Sequence, residues 1–327
     1  MPPLKRPARR LQILFGVVML LALGGFAFLR VAQSPLRWSK VAMEMDLPPS
    51  IQVYSAAATI PSTAPRAWYV DIDTADKNLQ LVPWLSRSPS GREQGSAMAT
   101  GQKAIVAING GYFDMESVPA RMYSLVLRDG KMLSPNIPIV HRSSPTRAYP
   151  VTRSAFGIDA NGNFDVAWVA QIGQQLWAYP SPVPHTVAKV AGAPSTTYPA
   201  GGHPWNMMQA IGGGPTLMSD GQLQDTYENE VFFDSGFPGD AAYSRAAIGY
   251  TPNHHLILFV TDGRHISDVE GLTLAGLAAE MQRLGCVEAM NLDGGGSETL
   301  VINGQTINQA PRQARDITAI LAITPKN

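Results

Sequence analysis

A single cysteine, Cys286, stands in a chain of 327 residues, so no disulfide can form within it and a disulfide-stapled scaffold is excluded. That cysteine sits among apolar neighbours in RLGCVEAM, the setting of a buried and unreactive thiol. Excess charge of either sign is equally missing. The 25 Lys and Arg balance 25 Asp and Glu, which argues against a nucleic-acid partner, since such proteins need a basic face to displace counterions. Charged residues make up 15% and hydrophobic ones 45%, the balance of a folded chain and not of a disordered one. Internal repeats are absent. So are the metalloprotease H-E-x-x-H, a dinucleotide-type G-x-G-x-x-G before a helix, and the G-x-S-x-G nucleophile elbow.

Acidic residues are absent until Glu44. Lys5, Arg6, Arg9 and Arg10 precede LQILFGVVMLLALGGFAFL, residues 11–29, which carries no charge. Nineteen helical residues reach about 28 Å, close to the hydrocarbon thickness of a bilayer. The basic flank is expected to stay in the cytoplasm. Gly25-Phe26-Ala27 makes a poor cleavage site and Arg30 follows closely, so an uncleaved anchor is favoured over a cleaved signal peptide. The expected location is extracytoplasmic: anchored in the inner membrane and facing the periplasm, or secreted if the segment is cleaved. Residues 31–66, with five prolines, read as a linker or extended lead-in, and 67–327 as one folded domain.

From Trp68 onward, short runs alternate or stay apolar and are bounded by Gly, Asp, Asn or Pro. They are WYVDID (68–73), KAIVAIN (103–109), SLVLR (124–128), SAFGID (154–159), FDVAWV (164–169), AAIGY (246–250), LILFVT (256–261), AMNLD (289–293), TLVIN (299–303) and ITAILAI (317–323). Hairpin turns are expected at Asp129-Gly130, Asn161-Gly162, Asp220-Gly221 and Asn303-Gly304. One helix stands out: Thr273 caps it, Leu274, Leu277, Ala278, Met281 and Leu284 recur at helical spacing, and Gly285 closes it. A second helix is expected near 95–102. The fold class is therefore α+β, a strand-rich mixed sheet with few helices.

Five motifs place glycine beside polar groups at strand ends, where backbone can approach a ligand closely. Asn109-Gly110-Gly111-Tyr112-Phe113-Asp114 offers an amide and a carboxylate at one turn. Gly212-Gly213-Gly214 could expose N–H groups to an anion. Arg245 opens an apolar strand and is expected to need a carboxylate or phosphate partner. Asp262-Gly263-Arg264-His265 closes LILFVT. Asn291-Leu292-Asp293-Gly294-Gly295-Gly296-Ser297-Glu298 is the sharpest, a buried strand ending in a carboxylate and three glycines.

In this order the motifs resemble the phosphodiester glycosidase family. The resemblance rests on AINGGYFD (107–114), IGGGPTLMSDGQ (211–222), SRAAIGYT (244–251), LFVTDGR (258–264), the stretch GLTLAGL…NLDGGGSETL (271–300) and a late Arg315. It implies a single catalytic domain that hydrolyses a sugar-1-phosphodiester by cleaving the glycosidic C–O bond, acting on envelope or extracellular glycans. Asp293, Asp262, Asp114 and Glu298 are the candidates for nucleophile, general base or sugar ligand. Asn109, Gly110, Gly213, Gly214, Arg245, Arg264, Gly294, Gly295, Gly296, Ser297 and Arg315 are the candidates to hold the substrate and its phosphate. Glu298 stands where relatives often carry a hydroxyl residue, and Gly276 where they often carry Glu. No cofactor or metal is expected. Two other readings stay open: a non-catalytic glycan-binding module, and a metal-dependent phosphodiesterase using Asp293, Asp262 and Asn109 on a divalent cation.

Overall fold

Alternation at period two writes most of this chain, and three large sheets result beside a two-stranded ribbon, Ile139–Ser143 with Thr146–Pro150. The computed structural model describes residues 35–43, 46–56, 66–144, 146–263, 270–308 and 315–326. The apolar run 11–29 and Arg264 lie outside the described residues, and no helix among the described residues is long and apolar enough to cross a membrane.

The largest sheet has eight strands, in the order Ser39–Lys40, Ile51–Ala56, Ala67–Asp73, His255–Thr261, Arg245–Tyr250, Glu288–Asn291, Thr216–Ser219, Gln222–Leu223. A seven-stranded sheet is centred on Phe164–Ile172, Arg153–Ile158 and Gln209–Gly212. In a five-stranded sheet, Val106–Asn109 lies between Leu300–Ile302 and Ala319–Pro325. Inward residues of all three meet in one core, including Val70, Ile72, Ile108, Phe156, Ile211, Ile248, Leu258 and Leu321. The alternate residues face outward and are buried too. Ala247, Ile257 and Phe259 lie under the helix Leu274–Arg283, and Ala107, Ile320 and Ala322 under the helix Gly95–Gly101.

Every expected strand is present, with shifted ends, and all four hairpin turns form. Asp129, Asp220 and Asn303 adopt φ of 52°, 50° and 46° ahead of their glycines, the left-handed geometry that tight hairpins need. Thr273 caps its helix by accepting from Gly276 N–H at 3.0 Å, and Gly285, at φ +85°, follows its end. Cys286 is buried, and burial pushes its thiol up to about 12, as expected of an inert core cysteine.

Two expectations change. The sheets are not mixed, for every strand pairing among the described residues is antiparallel. The helix Leu274–Arg283 does connect two strands that run the same way, His255–Thr261 and Glu288–Asn291, but Arg245–Tyr250 lies between them and pairs antiparallel with both. The folded unit also starts before residue 67. Ile51–Ala56 pairs along its whole length with Ala67–Asp73 and turns Ile51 and Val53 into the core, so part of the expected linker is sheet.

Register places the ends of eight strands together. Arg245 pairs with Thr261, Ala247 with Asn291, Thr216 with Met290, Ala155 with Gly212, and Ile320 with Asn109. The chain passes from the seven-stranded to the eight-stranded sheet through Gly213 and Gly214. The polar strand ends of all three sheets therefore meet around the turn that follows Asn291.

Candidate active site

The turn is built on Asp293. Its backbone N–H donates to the Gly110 carbonyl at 3.2 Å, and its own carbonyl accepts from the Asn109 side-chain amide at 2.7 Å. The same amide donates to the Gly110 carbonyl at 2.9 Å, while Asn109 Oδ1 accepts from Thr299 N–H at 3.1 Å. The three glycines then bend the chain into a short 3₁₀ turn, Gly295–Ser297, with Gly295 at φ +61°. This carries Ser297 back beneath Asp293. The Asp293 carboxyl bonds to the Ser297 side chain and to Gly294 N–H, and Ser297 Oγ accepts from Arg315 Nη1 at 3.3 Å. Arg315 N–H donates in turn to the Gly296 carbonyl at 3.2 Å.

Asp293, Ser297 and Arg315 thus form a relay from carboxyl to hydroxyl to guanidinium. Ser297 is buried, while Asp293, Arg315, Gly295 and Gly296 remain partly open to solvent. Burial raises the Asp293 carboxyl to about 6, against the opposing pull of the Ser297 bond, the Arg315 charge and the Gly294 amide. Such a carboxyl is mostly ionised at neutral pH and takes up a proton under mild acid, which suits acid–base or nucleophilic work.

Asp262 and Glu298 sit behind the turn, both buried. Burial raises Asp262 to about 6, and Arg66, with Nε 3.3 Å from Asp262 Oδ2, opposes that rise. Burial and then the Asp262 charge push Glu298 well above the usual carboxylate range. Glu298 Oε1 accepts from Asn308 Nδ2 at 2.9 Å. Two carboxyls so enclosed support the turn from the interior and do not present an oxygen to solvent.

Other expected ligands have internal duties. The backbone N–H groups of Gly213 and Gly214 donate to the carbonyls of Ser154 and Asn291 at 2.9 and 2.7 Å, so they do not form an anion nest. These residues must be glycine for packing: a Cβ on Gly213 would lie 2.5 Å from the Asn291 carbonyl oxygen, and one on Gly214 2.7 Å from a Glu230 carboxylate oxygen. Gly110 N–H is spent on the Ala319 carbonyl at 2.8 Å, and Gly294 is buried with a Cβ position 2.6 Å from the Ser244 carbonyl. Among the described residues no carboxylate pairs with Arg245. Fully buried, it donates to the carbonyls of Leu272, Pro238 and Ala241 at 3.0, 2.8 and 3.0 Å and stacks 4.6 Å above the Phe237 ring. Desolvation lowers it to about 10, so it stays charged at neutral pH. Asn109 is likewise a brace, its amide fully used on backbone. Asp114 is outside the cluster, its carboxylate accepting from Glu116 N–H at 3.0 Å in its own loop.

Some members were not expected. Tyr112 donates to the Gly214 carbonyl at 2.8 Å and accepts from Asn291 Nδ2 at 2.9 Å, closing the turn against the glycine crossover. Burial and the Asp293 charge hold its hydroxyl well above the usual phenol range, so it acts as a neutral donor. Buried Glu230 accepts from Ser154 N–H and Oγ, Trp168 Nε1, Thr216 N–H and Thr226 Oγ1, at 2.7–3.0 Å, behind Gly214. Among the described residues no group of three or more His, Cys, Asp and Glu converges in a way that could hold a metal ion. With the Asn109 amide committed, the metal-dependent reading loses one of its three ligands.

The N-acetylglucosamine-1-phosphodiester alpha-N-acetylglucosaminidase of Mus musculus is 43% identical over 61 residues, 19% of this chain and 11% of that protein, so the match spans only a small part of the relative's length. The zebrafish N-acetylglucosamine-1-phosphodiester alpha-N-acetylglucosaminidase catalytic domain, solved auto-inhibited by its pro-peptide, shares the fold. Its TM-score is 0.56 at 21% identity, over 90% of this chain and 89% of that one. A hypothetical protein from Synechocystis also has TM-score 0.56, at 20% identity, over 89% of this chain and 68% of that one. The family profile described as phosphodiester glycosidase matches residues 102–324, which include the Asn109 brace, the glycine crossover, the Asp293 turn and Arg315; the chain belongs to the phosphodiester glycosidase family.

Proposed function

We propose that this protein hydrolyses a glycosyl-1-phosphodiester, with N-acetylglucosamine 1-phosphodiesters the first substrates to try, at the Asp293 turn. The relay Asp293–Ser297–Arg315 carries the reading, for it sets a partly open carboxyl of raised affinity for protons beside a fixed guanidinium. The reaction breaks the bond between sugar C1 and the phosphate oxygen. Its transition state gathers positive charge at C1 and negative charge on the departing phosphate. Ionised Asp293 serves the carbon side, as nucleophile or as base for water. Arg315 serves the phosphate side. Phosphate departs as a good leaving group, so no buried acid need protonate it. Water supplies the hydroxyl that ends on C1, and its proton balances the phosphomonoester released.

Export supports the same reading. The basic residues before the apolar run 11–29 fit a domain delivered across the membrane to glycans of the envelope or outside it. A reporter fused after Asn327 should be active only in its extracytoplasmic form.

The test is turnover of a panel of α- and β-linked sugar-1-phosphodiesters in ¹⁸O-labelled water, with and without chelator. Label on the released sugar establishes C–O cleavage. Label on phosphate, or activity lost to chelator, would establish the metal phosphodiesterase instead. Glycan binding without any turnover would establish a binding module.

A further inference from the structure

The strand Arg153–Ile158 opens with a second buried arginine, and its situation differs from that of Arg245. Arg153 is 7% exposed, and it stacks 4.1 Å above the buried Phe232 ring. Among the described residues its guanidinium makes no hydrogen bond and no ion pair, and its Nε is buried without a partner. Glu230 is the acid whose charge acts on Arg153, but both oxygens of Glu230 are taken by the five bonds described above. A desolvated cation without a bonded counter-charge is costly, and burial lowers Arg153 to about 10. No hydrogen bond or ion pair among the described residues offsets this cost.

Arg153 lines a cavity of about 530 Å³, a size that fits a small ligand. Arg142 and Arg121 line it as well. Arg142 is partly exposed, donates to the Val231 carbonyl at 2.6 Å, and repels Arg153 electrostatically. His141 lies at the rim, and so does Asp234, whose carboxylate is held by Ser143 N–H and Oγ and Ser144 N–H at 3.0–3.2 Å. The remaining walls include Tyr112 and Phe237, both partly exposed, with ring centroids 5.8 Å apart. Cations at the floor and rim with aromatic walls suit a sugar ring bearing an anion: the ring's C–H face packs on the aromatics, and the anion takes the fork of a guanidinium.

We propose that this cavity is a binding subsite for a sugar unit carrying a carboxylate or phosphate, with Arg153 as its anchor and Arg142 as its second cation. Tyr112 and Gly213 belong both to the cavity and to the framework of the Asp293 turn, so a substrate cleaved there would extend its anionic sugar into the subsite. In that respect the inference deepens the reading above and rests on it for its role in catalysis, though not for the binding itself.

Calorimetric titration with glucose 6-phosphate, glucuronate and glucose tests it without any turnover. The wild-type protein should bind at least one anionic sugar about tenfold to a hundredfold more tightly than glucose, as charged hydrogen bonds do. The phosphate and carboxylate arms tell the two anions apart. Arg153→Gln, checked for fold by circular dichroism, should bring the ratio close to one. If Arg153→Gln does not fold, Arg142→Gln, changed at a partly exposed side chain, should lower the ratio severalfold. A wild-type ratio near one overturns the subsite, and so does a ratio that survives in a folded Arg153→Gln or in Arg142→Gln. Anion-selective binding by a protein that cleaves no phosphodiester would sink the hydrolase reading and leave the subsite standing. Phosphodiester turnover with no anion selectivity would do the reverse.

Discussion

The side chain of Asn109 holds the main chain of Asp293, donating to its carbonyl at 2.7 Å across 184 residues of sequence. The bond ties the five-stranded sheet to the turn that ends a strand of the eight-stranded one. Both amide hydrogens point at carbonyls and the oxygen at an N–H, so the group is fully matched. Asn109→Ala should therefore cost about 2–3 kcal/mol by leaving buried backbone groups unpaired. Asn109→Asp, close in shape, should cost at least as much, because it turns a donor into an acceptor facing two carbonyls. Urea unfolding of both variants checks this, and an Asn109→Asp protein of wild-type stability would refute the brace.

Glycine content in the turn has two causes, and substitution separates them. A Cβ on Gly294 would meet the Ser244 carbonyl at 2.6 Å, which is backbone and cannot yield. A Cβ on Gly296 would lie 3.3–3.5 Å from the Arg315 guanidinium, a side-chain end that can give by a few tenths of an ångström. Gly294→Ala should destabilise by about 1–3 kcal/mol through overpacking. Gly296→Ala should melt near the wild-type temperature yet lose phosphodiester turnover about tenfold, since a displaced Arg315 loses its place beside the leaving phosphate. Thermal unfolding and kcat/KM on the same preparations read both effects.

Glu230 is the polar centre behind the crossover. Every atom facing it is a donor: two N–H groups, two hydroxyls and an indole N–H. Glu230→Gln places an NH₂ against donors whichever way the amide is turned. Breaking so buried a charged hub should cost about 3–5 kcal/mol. Differential scanning calorimetry should show the lowered melting temperature, and a loss below about 1 kcal/mol would show that the hub can rearrange.

Much of this architecture is written locally. The hairpin turns at Asp129-Gly130, Asp220-Gly221 and Asn303-Gly304, and the capped helix Leu274–Arg283, follow from residue types that permit little else. Leu79–Leu85 is hidden by Pro83, which an edge strand tolerates and a central one does not, and only tertiary pairing reveals that this strand lies at a sheet edge. At the site, the Asp293 turn and its companions Asn109, Ser297 and Arg315 are legible as motifs, whereas their division of labour is not. Gly213 and Gly214 read equally well as an anion nest or as close-packing residues, and only the carbonyls opposite them decide. Arg153 was missed although it heads its strand as Arg245 heads AAIGY. A guanidinium opening an apolar strand requires a partner, and that holds for Arg153 as it does for Arg245. Glu230 lies in YENEVFF with no glycine or strand end to mark it, and only three-dimensional neighbours give it meaning.

Two carboxyls of the site, Asp293 and Asp262, are raised to about 6, and pH separates their roles. For stability they act in the same direction. A carboxyl raised above its unfolded value of about 3.9 favours the folded state most when protonated, so its contribution is complete below about pH 4 and is lost as pH rises through 6. The protein should therefore lose part of its acid-side stability between those values, and Asp262→Asn and Asp293→Asn should each flatten that slope. Activity distinguishes them. If ionised Asp293 acts at C1, kcat/KM should fall about tenfold per pH unit below 6, reporting the free enzyme's essential base. Asp262→Asn should keep that limb at a reduced height, for Asp262 lies behind the turn and touches no solvent. Asp293→Asn should lower kcat by about 10²–10⁴ and abolish the limb, with the fold retained because the swap is nearly isosteric. An acid limb that persists in folded Asp293→Asn and vanishes in Asp262→Asn would transfer the base role to Asp262, and with it the site of chemistry to the far side of the turn.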